Sequence, residues 1–137
     1  MDENSSHNNE LLIPEIDRDF LHEKGYEFQV IPEGKSLYLI LSNFSLPASV
    51  YTPATVDLMI AIPEGYPNAQ LDMFWTNPDV KLLNGNWPLK ADHHGTFCER
   101  TWQRWSRHIQ GEAPWRVGVD NIRSFLSTIR KELDKGL

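Results

Sequence analysis

"YEFQVIPEGKSLYLILSNF", residues 26–44, reads as two strands joined by a turn. In "YEFQVI" apolar and polar residues alternate with period two, and "SLYLILSNF" resumes after "PEGK", whose Pro32 and Gly34 suit a turn of four. So short a connection joins strands only antiparallel, because a parallel return needs a crossover of about a dozen residues or more. The meander continues outward. "ATVDLMIAI" (54–62) and "LDMFWT" (71–76) supply a third and fourth strand, set apart by "SLPASVYTP" and the turn-rich "PEGYPNAQ".

Helical patterns flank the strands. In "LIPEIDRDFLHEKG" (12–25) Pro14 suits the first helical position, Ile16, Phe20 and Leu21 form an apolar stripe, and Gly25 suits the stop. In "VDNIRSFLSTIRKELDKG" (119–136) Ile122, Phe125, Leu126, Ile129 and Leu133 keep helical spacing, and Gly136 ends the run. From Asn77 to Phe97 no period survives, which predicts a long irregular loop. "ERTWQRWSRHI" (99–109) predicts a short helix, with Trp102, Trp105 and Ile109 on one side and Arg100, Arg104 and Arg107 on the other. Helix, four strands, loop and helix in that order define an α+β chain. Residues 1–10 are polar and read as a disordered tail, and 11–137 as one domain.

Composition narrows the function. A net charge of −6 argues against a nucleic-acid binder, which needs a basic face. One cysteine excludes an intrachain disulfide framework and a CxxC zinc ribbon, and suits a reducing compartment. No apolar run approaches the roughly 18 residues of a membrane span. "MDENSSHNNE" lacks the basic start and hydrophobic stretch of a signal peptide, so the expected location is cytoplasmic.

The chemistry centres on Cys98 in "HHGTFCERTWQRW" (93–105), with three readings open: a nucleophile, a metal ligand, or a small apolar residue. A nucleophilic thiol needs access, a lowered pKa and a place for the oxyanion. His94 lies four residues before it and Arg100 two after, and either could supply positive charge. His93, His94, Cys98 and His108 are ligand types that zinc accepts, but no HExxH-like spacing unites them, so a small metal-dependent hydrolase is the weakest reading. Asn77, Asp79 and Asp92 are candidates for handling an incoming amine, and equally for turn chemistry in "TNPD" and "KADHHG". Arg100, Arg104 and Arg107, with Trp102 and Trp105, offer a basic, aromatic surface to a partner or simply a solvated face over packed aromatics, and Trp115 is assigned to packing.

Three strings on this element order resemble the ubiquitin-conjugating enzyme (UBC) superfamily. "GYPNAQLDMFWT" (65–76) is similar to its Tyr-Pro turn and following strand, "GTFC" (95–98) to the stretch carrying its thioester cysteine, and "WRVGVDNIRSFLSTI" (from Trp115) to the entry into the helix beyond the site. The resemblance covers roughly residues 12–135, and "WQRWSRH" is closest to divergent bacterial members associated with ubiquitin-like conjugation operons. It implies a UBC-like fold that accepts a ubiquitin-like modifier on Cys98 from an adenylating activating enzyme and passes it to a lysine amine. No cofactor is implied, because the activating enzyme spends the ATP. A deconjugating peptidase and a role in antiphage defence are implied by the same likeness. The alternative is a non-catalytic UBC-like or RWD-like module that binds the modifier or its activating enzyme.

Three departures from the family pattern stand out. Asp79, in "NPDV", occupies the place of an expected asparagine, so the donor that would polarise the thioester or its tetrahedral intermediate is not carried over, and Asp79 and His94 stand as candidate assisting residues. The loop before Cys98 is long, and "ERTWQRWSRHIQGEAP" is inserted after it. The first helix is acidic through Glu15, Asp17, Asp19 and Glu23, where familiar members present basic residues, implying a different activating partner.

Overall fold

The first hairpin forms where the alternation places it. A computed structural model describes residues 9–107 and 114–137, and in it β1 (Glu27–Glu33) pairs antiparallel with β2 (Ser36–Ser45). Glu33 faces Ser36, so the turn shrinks to Gly34 and Lys35, with Gly34 at φ 62°, a left-handed conformation that a side chain would disfavour. Pro32 stays in the strand because β1 is an edge, where a missing N–H breaks no further ladder.

Beyond β2 lie β4 (Thr55–Ile62) and then β5 (Phe74–Asn77), completing the four-strand meander. The sheet then grows by two strands that the sequence did not announce, β8 (Arg100–Trp105) and at the far edge β7 (His93–Phe97). All its pairings are antiparallel, in the order β1-β2-β4-β5-β8-β7. A second small ladder joins β3 (Tyr51–Thr52), inside a stretch read as connection, to β6 (Lys81–Leu82).

Two helices, α1 (Glu15–Glu23) and α2 (Ile122–Asp134), cover one face. Strand alternation sends Leu39, Leu41, Leu58, Ile60 and Phe74 into the helix-side core, where they join Leu21, Trp105, Phe125 and Ile129. The intervening Tyr38, Ile40, Met59 and Trp75 go to the opposite face and form a second cluster with Trp102. α2 starts as a capping box, with the Asn121 side chain accepting from the Ser124 N–H and the Ser124 hydroxyl accepting from the Asn121 N–H. α1 starts after Pro14, which caps it from just outside, and a 3-10 turn (Glu10–Leu12) precedes it, so residues 9 and 10 of the expected tail are structured. The rest of that tail lies outside the described residues.

Asp17 corrects the picture of a uniformly acidic helix surface. Glu15, Asp19 and Glu23 are exposed, but Asp17 is buried at 1% exposure, while Ile16 of the expected apolar stripe is 64% exposed. Its carboxylate accepts from the Tyr66 hydroxyl (2.7 Å) and from the Ile122 N–H (3.4 Å), and that N–H also donates to the Tyr66 oxygen (2.9 Å). Burial pushes the Asp17 pKa up, and the two hydrogen bonds restrain the rise. One carboxyl thus ties α1 and the Tyr-Pro turn to the N-terminus of α2, an end that favours negative charge.

The region from 77 to 107 departs furthest from expectation. Its irregular stretch contains β6 and β7, and β8 replaces the helix expected at 99–109, whose last two residues lie outside the described ones. Trp102 and Trp105 mimic helical spacing because β8 is buried on both faces: Trp102, Gln103 and Trp105 are all fully buried. Cys98 correspondingly sits in a hairpin turn.

Candidate functional site

β8 pairs with β5 only through Gln103, Arg104 and Trp105, so the tip of the β7–β8 hairpin is free to lean over the face opposite the helices. Phe97 packs edge-on against Trp75 (ring centroids 4.8 Å apart) and lies 5.4 Å from the Tyr38 ring. Gly95 permits this approach: a Cβ there would lie 2.8 Å from the Phe97 ring and 3.2 Å from Trp75. The tip reaches the end of β1, at the other edge of the sheet, where the Cys98 N–H donates to the Glu33 carboxylate (3.0 Å).

Polar contacts fix the hairpin's root. Gln103 uses its whole amide: Oε1 accepts from the Thr76 hydroxyl and the Val80 N–H, and Nε2 donates to the Val80 and Ala91 carbonyls. Asn77 donates to the Thr101 carbonyl (2.8 Å) and accepts from Arg100 (2.8 Å), which also pairs with Asp57 at 2.9 Å. The Trp102 indole N–H donates to the Phe97 carbonyl, closing the hairpin on itself.

Cys98 and Glu99 form the two-residue turn between β7 and β8, since Phe97 pairs with Arg100. Both have left-handed backbones, φ 52° and 62°, as the mirror-image hairpin turn requires. Such turns favour Asn-Gly, so Cys-Glu here carries backbone strain on a partly exposed thiol. Partial burial and then the Glu33 carboxylate push the thiol pKa up, while Arg100 pulls it back. The group is therefore held further toward the neutral thiol than an ordinary cysteine.

His94 and Asp79 do meet: Nε2 and Oδ1 are 2.9 Å apart. Trp87 sets its ring edgewise against His94 (centroids 5.7 Å apart), and the Lys81 ammonium lies 3.9 Å from the centre of the Trp87 ring. This group lies on the helix side of the hairpin, because His94 pairs with the inward Gln103 while Phe97 faces outward. Four residues of strand separate the Cα atoms of His94 and Cys98 by roughly 13 Å. The dyad is thus assembled apart from the sulfur. Asp92 is exposed and lies 3.7 Å from the His93 ring.

The basic stripe does not exist as a helical face. Arg100 packs over Trp102 and is paired with Asp57, while Arg104 buries an Nε that has no hydrogen-bond partner among the described residues. Arg107 is 5% exposed, pairs with Glu132 and donates to the Leu89 and Leu137 carbonyls. Trp102 belongs to the outer-face cluster and Trp105 to the helix-side core, so the two indoles lie on opposite sides of the sheet. Trp115 packs near Tyr66 and donates to the Pro67 carbonyl. Among the described residues no group of three or more His, Cys, Asp or Glu side chains is placed to hold a metal ion, and His108 lies outside them. No helix among them is long and apolar enough to cross a membrane.

Sequence reasoning missed Glu33, Gln103, Trp87 and Lys81. Glu33 lies 65 residues before Cys98, so no local pattern links them. Gln103 could have been flagged only by reading "RTWQRW" as a strand, in which a glutamine between two tryptophans faces inward with one of them.

A mixed α+β chain with an N-terminal helix, an antiparallel sheet whose β4–β5 connection carries a Tyr-Pro turn, and a long closing helix is organised as an E2-like protein. The chain belongs to prokaryotic E2 family E, whose model matches residues 13–136. Neither a curated protein nor a solved structure matches it. Membership carries a conjugating-enzyme type of function and, in general terms, interaction with a ubiquitin-like modifier and an activating enzyme.

Proposed function

We propose that the chain accepts a ubiquitin-like modifier as a thioester on Cys98 and transfers it to a lysine amine of a target. The observation that carries this reading is the placement of its only cysteine, partly exposed on a strained turn, in a member of an E2 family. In charging, the Cys98 sulfur attacks the carbonyl of the modifier's thioester on the activating enzyme. A new C–S bond forms, the old one breaks, and the activating enzyme's thiol leaves. In transfer, the amine attacks that carbonyl, the amide forms and the Cys98 thiolate departs. Arg100, whose positive charge draws the Cys98 pKa down, favours the thiolate at both stages.

Asp79 and His94 would assist by taking the amine's proton, a role suited to an imidazole held by a carboxylate. It requires the hairpin tip to move until the amine attacking at Cys98 lies within hydrogen-bond reach of His94. Leu83, Trp87 and Leu89 expose apolar side chains in the 83–89 stretch that includes the dyad's tryptophan, a surface suited to the modifier or the target. By likeness to its bacterial relatives, the system would include a deconjugating peptidase and serve phage defence.

The raised thiol pKa and the distance to the dyad favour a second reading, a non-catalytic module that binds the modifier or the activating enzyme. The deciding experiment mixes the protein with its activating enzyme, modifier and ATP. A reductant-sensitive adduct that Cys98→Ser abolishes, or converts to a reductant-stable ester, supports the enzyme. Tight binding of the modifier without any adduct sinks it in favour of the module.

A further inference from the structure

The exposed edge of α2 carries a feature unrelated to Cys98. A cleft of about 350 Å³ runs between α1 and α2, floored by Phe20, Tyr26 and Leu126 and edged by Lys24, Arg123 and Arg130. It is continuous with smaller clefts at either end, sharing Phe20, Lys24 and Arg123 with one and Arg130 with the other. No acidic side chain lines the central section, on a chain whose net charge is −6. None of the ion pairs among the described residues involves these three cations.

Both arginines are already positioned. Arg130 lies 4.5 Å from the centre of the Phe44 ring and donates to the Tyr26 hydroxyl (2.7 Å), while Arg123 lies 5.9 Å from the centre of the Phe20 ring. Guanidinium groups held on aromatic faces lose little freedom when a carboxylate arrives, and they can bind it bidentately. The Tyr26 oxygen, having accepted from Arg130, keeps its own proton to donate.

We propose that this trough docks an extended acidic segment of a partner protein, in which two carboxylates flank one apolar side chain. Seven residues of helix separate Arg123 from Arg130 by about 10 Å. In an extended segment, positions i, i+2 and i+4 share a face and the outer two lie about 13 Å apart. Acid-x-apolar-x-acid therefore sets one carboxylate at each arginine and the apolar side chain on Phe20 and Leu126. The flanks limit the segment's length: Asp19 and Glu23 line one end of the trough and Asp134 the other, so further acids beyond the pair are repelled. The match is to two charges in register, and a polyanion does not fit it.

The test uses the full chain and fluorescein-labelled Gly-Glu-Ser-Leu-Ser-Glu-Gly, followed by anisotropy in low salt. Saturable binding is expected, weakened at least about tenfold in Arg123→Glu/Arg130→Glu, as loss of two charge-assisted contacts requires. Ser127→Trp, which fills the cleft from its wall without changing charge, abolishes binding as well. Circular dichroism and unfolding curves establish that each variant is folded. Each of these results would overturn the proposal: no saturation by about 1 mM peptide, unchanged affinity in both variants, or equal binding of a peptide with Ser in place of Leu. The last would show plain anion attraction, as would competition by inorganic phosphate at the same concentration as the acidic peptide.

Discussion

The two faces of the sheet are both apolar and are covered by different means. On one, α1 and α2 bury a core running from Leu21 to Leu133, closed by regular helix packing. On the other, the chain covers Tyr38, Ile40, Met59 and Trp75 with its own β7–β8 hairpin, whose Trp102 and Phe97 join their cluster. The first cover uses two amphipathic helices. The second rests on one glycine, one fully bonded glutamine and a strained turn. The sole cysteine lies at the tip of the weaker cover, where opening a few contacts changes its exposure without unfolding the domain.

The sharpest break of this contrast is Trp105→Ala. Trp105 stacks on Phe74 (centroids 5.1 Å apart) and donates to the Thr76 hydroxyl, so its loss should cost about 3–5 kcal/mol and destabilise the whole sheet. Urea unfolding followed by tryptophan fluorescence and by circular dichroism should shift together, and a shift in only one signal would show that the faces unfold separately.

Gly95→Val acts on the outer cover alone. The added side chain meets Phe97 and Trp75, with an expected cost of about 1–3 kcal/mol. The helical signal should persist while Cys98 becomes faster to alkylate. Unchanged alkylation would mean that the hairpin does not shield the thiol.

Glu33→Gln removes the carboxylate that helps hold the thiol neutral. The pKa should fall, so the thiolate fraction at a fixed neutral pH rises, with alkylation faster by roughly threefold. A pH profile that does not move toward lower pH would refute the electrostatic role given to Glu33.

The smallest effect belongs to the helix side. Because the folded pKa of Asp17 is raised, the folded chain keeps a proton that the unfolded chain has released. This group's contribution is complete below the ordinary carboxylate pKa, about 4, and is lost as pH rises through the raised folded value. Asp17→Asn should flatten that part of the stability–pH curve, and parallel curves for variant and wild type would count against it.

The meander and α2 were legible because alternation, turn residues and helical spacing each act within a few positions. Asn121, Ser124 and Gly136 delimit a helix whose apolar spacing already announced it. β8 was hidden because burial on both faces erases period two and leaves Trp102 and Trp105 three apart. Its turn was equally silent, since Cys98-Glu99 lacks the Asn-Gly signature of a left-handed pair. Cys98, Asp79 and His94 could be named as candidates from their chemistry, but the contact between Asp79 and His94, 15 positions apart, could not. Their distance from the sulfur could not be read, because it depends on which way a strand faces.

The contact between Glu33 and Cys98 also bears on how the molecule avoids its own kind. β1 and β7 are the sheet's two borders, and exposed borders recruit strands from other chains into aggregates. Here β1 carries Pro32, which breaks its row of donors, and the charges of Glu27 and Glu33. β7 is five residues long, and its hairpin folds inward to meet the opposite border. The bend that shelters the thiol thus also shortens the run of backbone available for intermolecular strand pairing.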